Sequence, residues 1–206
     1  MARRSNRLRG RSAGSPPGSF RIIGGEWRGR RLPICTRGGL RPTPDRVRET
    51  LFNWVSPVVA GSRCLDLFAG TGALGLEALS RGAAAASFVE NDPATARGIR
   101  DALELLQCDR AEIVSADALS FLSSPPRPFD LVFVDPPYAL DLLPPVCAAL
   151  GDGWLSPTAS VYLEAPAERG RPELPPGWVL ARSARAGQVG YHLARFDDTA
   201  GPQASQ

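Results

Sequence analysis

Four stretches of the sequence bring together residue types that can hold a ligand or activate one. The first is Leu65-Asp66-Leu67-Phe68-Ala69-Gly70-Thr71-Gly72-Ala73-Leu74-Gly75. An apolar run ends in a glycine-rich turn, where Gly70 and Gly72 let the backbone approach a ligand and a following helix offers free N–H groups. Gly75 completes the spacing of a dinucleotide loop, but Asp66 would repel a pyrophosphate and suits a ligand with a cationic group. The second is Glu90, 20 residues after Gly70, where a strand-end acid grips both hydroxyls of a ribose. The third is Ala116-Asp117-Ala118. Asp117 either accepts from an adenine amino group or caps the helix behind it. The fourth is Val132-Phe133-Val134-Asp135-Pro136-Pro137-Tyr138. Its prolines stiffen the backbone and remove two N–H donors, leaving carbonyls free to accept. Asp135 adds a carboxylate, and Tyr138 adds a flat ring that can stack on a base. Together they suit an exocyclic amino group held in the plane of a nucleobase.

The elements between these motifs must bring them together. Arg63–Phe68 reads as a buried strand, Gly72–Arg81 as a helix closed by Gly82, and Ala86–Glu90 as a strand. Asp92-Pro93 opens a helix to about Gln107, followed by a strand at Glu112–Ala116 and a short helix at Ala118–Leu122. Asp130–Asp135, Leu140–Leu150 and Ser160–Ala165 continue as strand, helix, strand. This alternation predicts a parallel sheet covered by helices on both faces, with its ligand at the carboxyl ends of the strands. Trp178–Ala184 and Val189–Phe196 read as a β-hairpin finishing the sheet. Upstream, Phe20–Ile23 and Arg31–Ile34 form a second hairpin, and Thr43-Pro44-Asp45 starts a helix with Thr43 as cap and Pro44 in its first position. Val47, Leu51 and Val55 give that helix a core face, with Phe52 beside them, and Pro57 ends it.

Charge is unevenly placed along the 206 residues. Residues 1–48 hold thirteen arginines against Glu26 and Asp45, whereas the rest is acidic, and the whole chain nets only +3. A basic N-terminal part on an acidic body points to a polyanion partner, most often nucleic acid. No apolar run reaches the roughly 18–20 residues of a membrane span, and the arginine-rich start lacks the apolar core of a secretory signal. All 24 basic residues are arginine, as a base-composition bias of the genome would produce. Cys35, Cys64, Cys108 and Cys147 are far apart, and His192 is the sole histidine; no metal-ligand spacing exists, and reduced thiols in a cytoplasmic protein are the simplest reading. The expected division is a disordered basic tail at 1–19, an RNA-binding hairpin and helix at 20–57, a catalytic domain at 58–196 and a tail at 197–206.

The Asp66–Gly75 loop, Glu90, Asp117 and Asp135-Pro136-Pro137-Tyr138 resemble class I S-adenosylmethionine-dependent methyltransferases that modify exocyclic amines. Three N-terminal segments narrow the likeness: Arg21-Ile22-Ile23-Gly24-Gly25, Arg28-Gly29-Arg30-Arg31-Leu32, and the run from Arg41-Pro42-Thr43-Pro44-Asp45 to Phe52-Asn53-Trp54. With Gly187-Gln188-Val189-Gly190-Tyr191-His192, they look like the bacterial 16S ribosomal RNA guanine-966 N2-methyltransferase family. The resemblance spans about Arg21 to Phe196. It implies an α/β, Rossmann-like class I methyltransferase fold: a seven-stranded, mostly parallel sheet with a C-terminal antiparallel hairpin and a small N-terminal hairpin-plus-helix extension.

Roles follow from the resemblance. Asp66, Phe68, Ala69, Gly70, Thr71 and Gly72 would hold the methionine end of S-adenosylmethionine, Glu90 and Asn91 the ribose side, and Asp117 with Ala118 the adenine. Asp135, Pro136, Pro137 and Tyr138 would hold and stack the guanine. Arg21, Arg28, Arg30, Arg31, Arg37, Arg41, Arg46 and Arg48 would grip phosphates. The expected substrate is 16S ribosomal RNA, within a partly assembled 30S subunit, and the expected enzyme is a monomer without a metal. Glu77, Glu104 and Glu164 read as structural acids, His192 as a packed or surface residue, and the four tryptophans as core or rim. Three rivals share parts of the pattern. A DNA adenine N6-methyltransferase would use the same Asp-Pro-Pro-Tyr but lacks here a large domain to read DNA. A dinucleotide oxidoreductase gives that segment no task. A non-catalytic RNA-binding protein has no reason to keep Asp66, Glu90 and Asp135 together.

Overall fold

The computed structural model describes residues 18–34 and 43–196. Expectations for the tails, and for Cys35, Arg37 and Arg41, lie outside them. Five parallel strands form one side of a seven-stranded sheet: β3 (Arg63–Asp66), β4 (Ala85–Val89), β5 (Ala111–Val114), β6 (Phe129–Val134) and β7 (Leu155–Pro166). β8 (Trp178–Ala186) and β9 (Val189–Phe196) close it as an antiparallel hairpin, giving the order β5-β4-β3-β6-β7-β9-β8. Both faces are covered, so alternate residues of one strand enter two cores. Leu131 and Phe133 pack on one side with Leu51, Phe52 and Leu76, and Val132 and Val134 on the other with Phe121, Val146 and Trp154. No helix among the described residues is long and apolar enough to cross a membrane.

Helices α3 (Ala73–Ser80), α4 (Pro93–Leu106), α5 (Ala118–Leu122) and α6 (Leu143–Gly151) connect the strands. Asp92 caps α4 by accepting the Thr95 N–H at 2.8 Å, as its place before Pro93 predicts. Gly72 starts α3 from a left-handed conformation (φ 73°), which a side chain rarely adopts. Gly75 serves packing: a Cβ on it would lie 2.3 Å from the Phe88 ring. Its N–H also donates to Asp66 Oδ2 at 2.9 Å.

The N-terminal extension begins with the hairpin β1 (Ser19–Arg21) and β2 (Arg31–Pro33), so pairing starts inside the expected tail. The turn between its strands seats on the end of α3. Glu77 is fully buried and accepts the Ile23 and Gly24 N–H groups, each at 2.8 Å, and Arg81 Nε at 2.7 Å. Ser80 Oγ donates to the Gly24 carbonyl at 2.6 Å and accepts the Trp27 N–H at 3.0 Å. Helix α1 (Asp45–Trp54) packs its core face on the sheet, bringing Phe52 to 5.9 Å from Phe133.

Local details differ from the sequence reading. Thr43 caps nothing; Pro44 holds the cap position and Asp45 opens α1. Pro57 does not end α1 but lies in the first turn of a separate short helix, α2 (Ser56–Val59), because proline's fixed φ and missing N–H suit that place. Between β6 and α6 stands a 3-10 turn at Tyr138–Leu140. The expected helix therefore starts later, at Leu143. Trp27, Trp154 and Trp178 are buried, and Trp54 stacks on Tyr191, as expected of core and rim.

Candidate active site

The chain reverses its direction of travel across the sheet between β3 and β6, where strand order opens a crevice at the carboxyl ends. A cavity of about 970 Å³ lies there. Phe68 and Gly70 after β3, Glu90 and Asn91 after β4, Asp117 and Ala118 after β5, and Asp135 to Tyr138 after β6 all line it. Leu67, Val89, Leu140 and Leu142 add apolar wall. Thr43 and Pro44 reach it from the extension, so the arm that carries the basic hairpin also forms part of the site.

The carboxylates are held in distinct ways. Glu90 accepts the Gly70 N–H through Oε2 at 2.8 Å and the Asp92 N–H through Oε1 at 2.9 Å, which fixes it between two loops. Asp117 caps α5, its Oδ1 accepting the Leu119 and Ser120 N–H groups at 3.0 and 3.1 Å. The capping reading of Asp117 is therefore met, and the residue also lines the cavity. Burial raises the Asp135 carboxyl to about 6. Tyr138 stands 37% exposed and lines the cavity.

Some expected contacts fall elsewhere. Asp66 does not line the cavity. It is buried beneath the loop against the Gly75 N–H, and burial raises its carboxyl to about 8. Its carboxylate meets the backbone of α3's first turn and not the cavity. Ala69 is buried with its N–H on the Val89 carbonyl, Gly72 starts α3, and Thr71 faces a small recess beside Gly70. Arg48 is no phosphate ligand. Its side chain is completely buried, donating to Asp45 Oδ1 at 2.6 Å, to the Arg21 carbonyl at 2.9 Å and to the Thr43 carbonyl at 3.1 Å, with Glu77 at 3.5 Å. Arg21, Arg28, Arg30, Arg31 and Arg46 are exposed. Arg21 pairs with Asp45, and Arg30 donates to the Leu105 carbonyl at 2.8 Å.

One acid taken for structural belongs to the site. Glu164, near the end of β7, is 3% exposed and lines the cavity. Its position beside Asp135 depends on strand register, which the sequence does not display. His192 is buried, with Nδ1 at 2.9 Å from Ser183 Oγ and its pKa lowered by burial; it packs away from this cavity.

The family model described as conserved hypothetical protein 95 matches residues 20–195. The ribosomal RNA small subunit methyltransferase D of Escherichia coli strain K12 is 50% identical over 180 residues, spanning 87% of this chain and 91% of that protein. The chain belongs to this family. The protein of the same name in Haemophilus influenzae is 43% identical over 182 residues, 85% of this chain and 93% of its own length. The solved structure of yhhF from Escherichia coli superposes with a TM-score of 0.82 at 46% identity, covering 87% of this chain and 99% of that one. The likeness to a small-subunit ribosomal RNA methyltransferase family and the methyltransferase fold stand with that membership.

Proposed function

We propose that the protein transfers a methyl group from S-adenosylmethionine to the exocyclic N2 of guanine 966 in 16S ribosomal RNA. It acts as a monomer in the bacterial cytoplasm, on a partly assembled small subunit. The observation that carries this reading is the shared cavity: the Asp135–Tyr138 segment after β6 and Glu90 after β4 line the same space from either side of β3.

The residues present fit the donor. Glu90 offers a carboxylate already held by two backbone N–H groups for the ribose hydroxyls. Asp117 and Ala118 would hold the adenine between apolar walls, and the Phe68–Gly70 backbone would face the methionine end. S-adenosylmethionine, when bound, supplies an electrophilic methyl on a sulfonium.

The protein's task is to make a poor nucleophile aim well. The guanine amino lone pair is shared with the ring. Asp135 and the Pro136 carbonyl each accept one of its hydrogens, which draws the lone pair out of conjugation and toward the methyl. Tyr138 stacks on the ring. As N2 takes the methyl that a bound donor would supply, its departing proton would pass to Asp135 or to water. Positioning of this kind supplies roughly 7–11 kcal/mol in favourable cases. The base must lie outside its stack to reach the cavity.

The test is transfer of labelled methyl to small subunits lacking the modification, with the product nucleoside identified by digestion. N2-methylguanine is expected; labelled adenine, or label on duplex DNA alone, would move the assignment to the rival enzyme. The exposed arginines at 21, 28, 30, 31 and 46 are phosphate contacts in this reading. Affinity for the RNA is then expected to fall with log salt at a slope of about 4, given roughly 0.7–0.9 per contact. Changing Arg28 and Arg31 together to alanine should reduce that slope by roughly 1.5. A flat salt response would remove the arm from RNA binding.

A further inference from the structure

The scheme above leaves Glu164 without a task. In the parallel pairing of β6 with β7, Val134 stands opposite Leu163, which places Asp135 and Glu164 side by side at the two strand ends. Both line the cavity. Glu164 Oε1 accepts the Tyr162 hydroxyl at 2.7 Å, and the Tyr138 phenol lies beside it. Burial and the neighbouring Asp135 carboxyl raise Glu164 to about 8. Burying two like-charged acids together is costly, and such pairs gather where chemistry needs them.

We infer that Glu164 is the specificity-determining residue of this site, its carboxylate accepting the N1–H of the target guanine while Asp135 and the Pro136 carbonyl hold the N2 amino group. The inference rests on the guanine reading above. A flipped base is read along its Watson–Crick edge. On guanine that edge carries two adjacent donors, N1–H and N2–H, which meet two adjacent acceptors. Adenine places an unprotonated nitrogen beside its amino group, lone pair against lone pair with a carboxylate. An Asp-Pro-Pro-Tyr segment alone accepts either amino group; Glu164 makes the choice. A site whose buried polar group is built for one donor rejects the analogue that lacks it.

The same contact fixes a pH dependence. Glu164 faces Asp135 and Tyr138 from the β6 side, Tyr162 on its own strand and Tyr191 across on β9, with the Arg169–Asp141 ion pair at a neighbouring recess. With no base bound, its raised pKa keeps a proton on it at neutral pH. The guanine N1–H takes that proton's place, so binding releases a proton and tightens as pH rises through about 8.

The experiment compares small subunits carrying guanine or 2-aminopurine at the target nucleotide; 2-aminopurine keeps the N2 amino group and lacks N1–H. Single-turnover methylation by the wild type above pH 8, where Glu164 is ionised and can only accept, is expected to favour guanine by about a hundredfold, the scale of one well-placed base contact. In Glu164→Gln the amide N–H donates to the bare N1, so the ratio should fall to within about threefold of unity. The tightening of guanine binding with pH should disappear with it. Equal rates on the two bases with the wild type overturn the inference, and that comparison needs no variant. A folded Glu164→Gln that slows both substrates equally and keeps the ratio also overturns it, leaving Glu164 a support of the fold. No label on guanine with the wild type overturns the guanine reading itself.

Discussion

Replacing Asp135 by alanine is expected to slow methyl transfer to the small subunit by about a thousandfold while leaving S-adenosylmethionine binding within a fewfold of normal. The size follows from the task. A positioned group that manages a hydrogen on the reacting atom is worth roughly 10²–10⁴ in rate. Asp135 lies at the end of β6, across the strand order from Glu90 and Asp117, so the donor's own contacts survive. Asp135→Asn separates two roles of the same side chain. It keeps a carbonyl oxygen to accept the amino hydrogen but loses the charge, so a variant retaining more than about a tenth of the rate would mean that accepting, not proton removal, is what matters. Calorimetry of the donor and single-turnover rates measure the two quantities. An alanine variant within threefold of the wild-type rate would remove Asp135 from the chemistry.

Glu77→Ala is expected to cost roughly 3–5 kcal/mol of folding free energy, the scale for breaking one side of a buried ion pair, and to lower the melting temperature by roughly 10 °C or more. Its carboxylate is completely buried, with Arg48, Arg81 and two backbone N–H groups arranged on it. Removing it leaves Arg48 with Asp45 as its remaining carboxylate and takes the acceptor from the Ile23 and Gly24 N–H groups. Glu112→Ala is the control, because the Glu112–Arg127 pair is about half exposed; surface pairs are worth about 1 kcal/mol at most. Thermal melts of both variants decide it. Equal, small losses would mean that the extension is not fastened through Glu77.

Much of this was legible in the sequence because the informative residues are neighbours in it. Asp135-Pro136-Pro137-Tyr138 is one continuous segment, and the strands around it are apolar runs bounded by glycine, proline and acids. The strand-end acids Glu90 and Asp117 follow from the rhythm of the elements. What stayed hidden depends on partners distant along the chain. Arg48 reads as a phosphate ligand by residue type. Only the packing of α1 on the sheet reveals that Glu77 and two carbonyls already occupy it. Glu164 reads as a structural acid until β7 is set in register against β6. Asp66 reads as a ligand contact because it precedes a glycine loop, but a strand residue one step earlier points under the turn, not over it.

Helix α3 has eight residues, all of them buried, and so is roughly 12 Å long. One end begins the donor loop at Gly72; the other carries the arginine hairpin on Glu77 and Ser80. A rod this short and this enclosed does not bend, so, if the hairpin grips phosphates as proposed, it acts as a fixed gauge between them and the atom that receives the methyl. The enzyme cannot adjust that span to its substrate. On the proposed function, an RNA that presents its guanine at another distance from the gripped backbone would be left out, however well its base fits the cavity, and the folded shape of the substrate would become part of what is recognised.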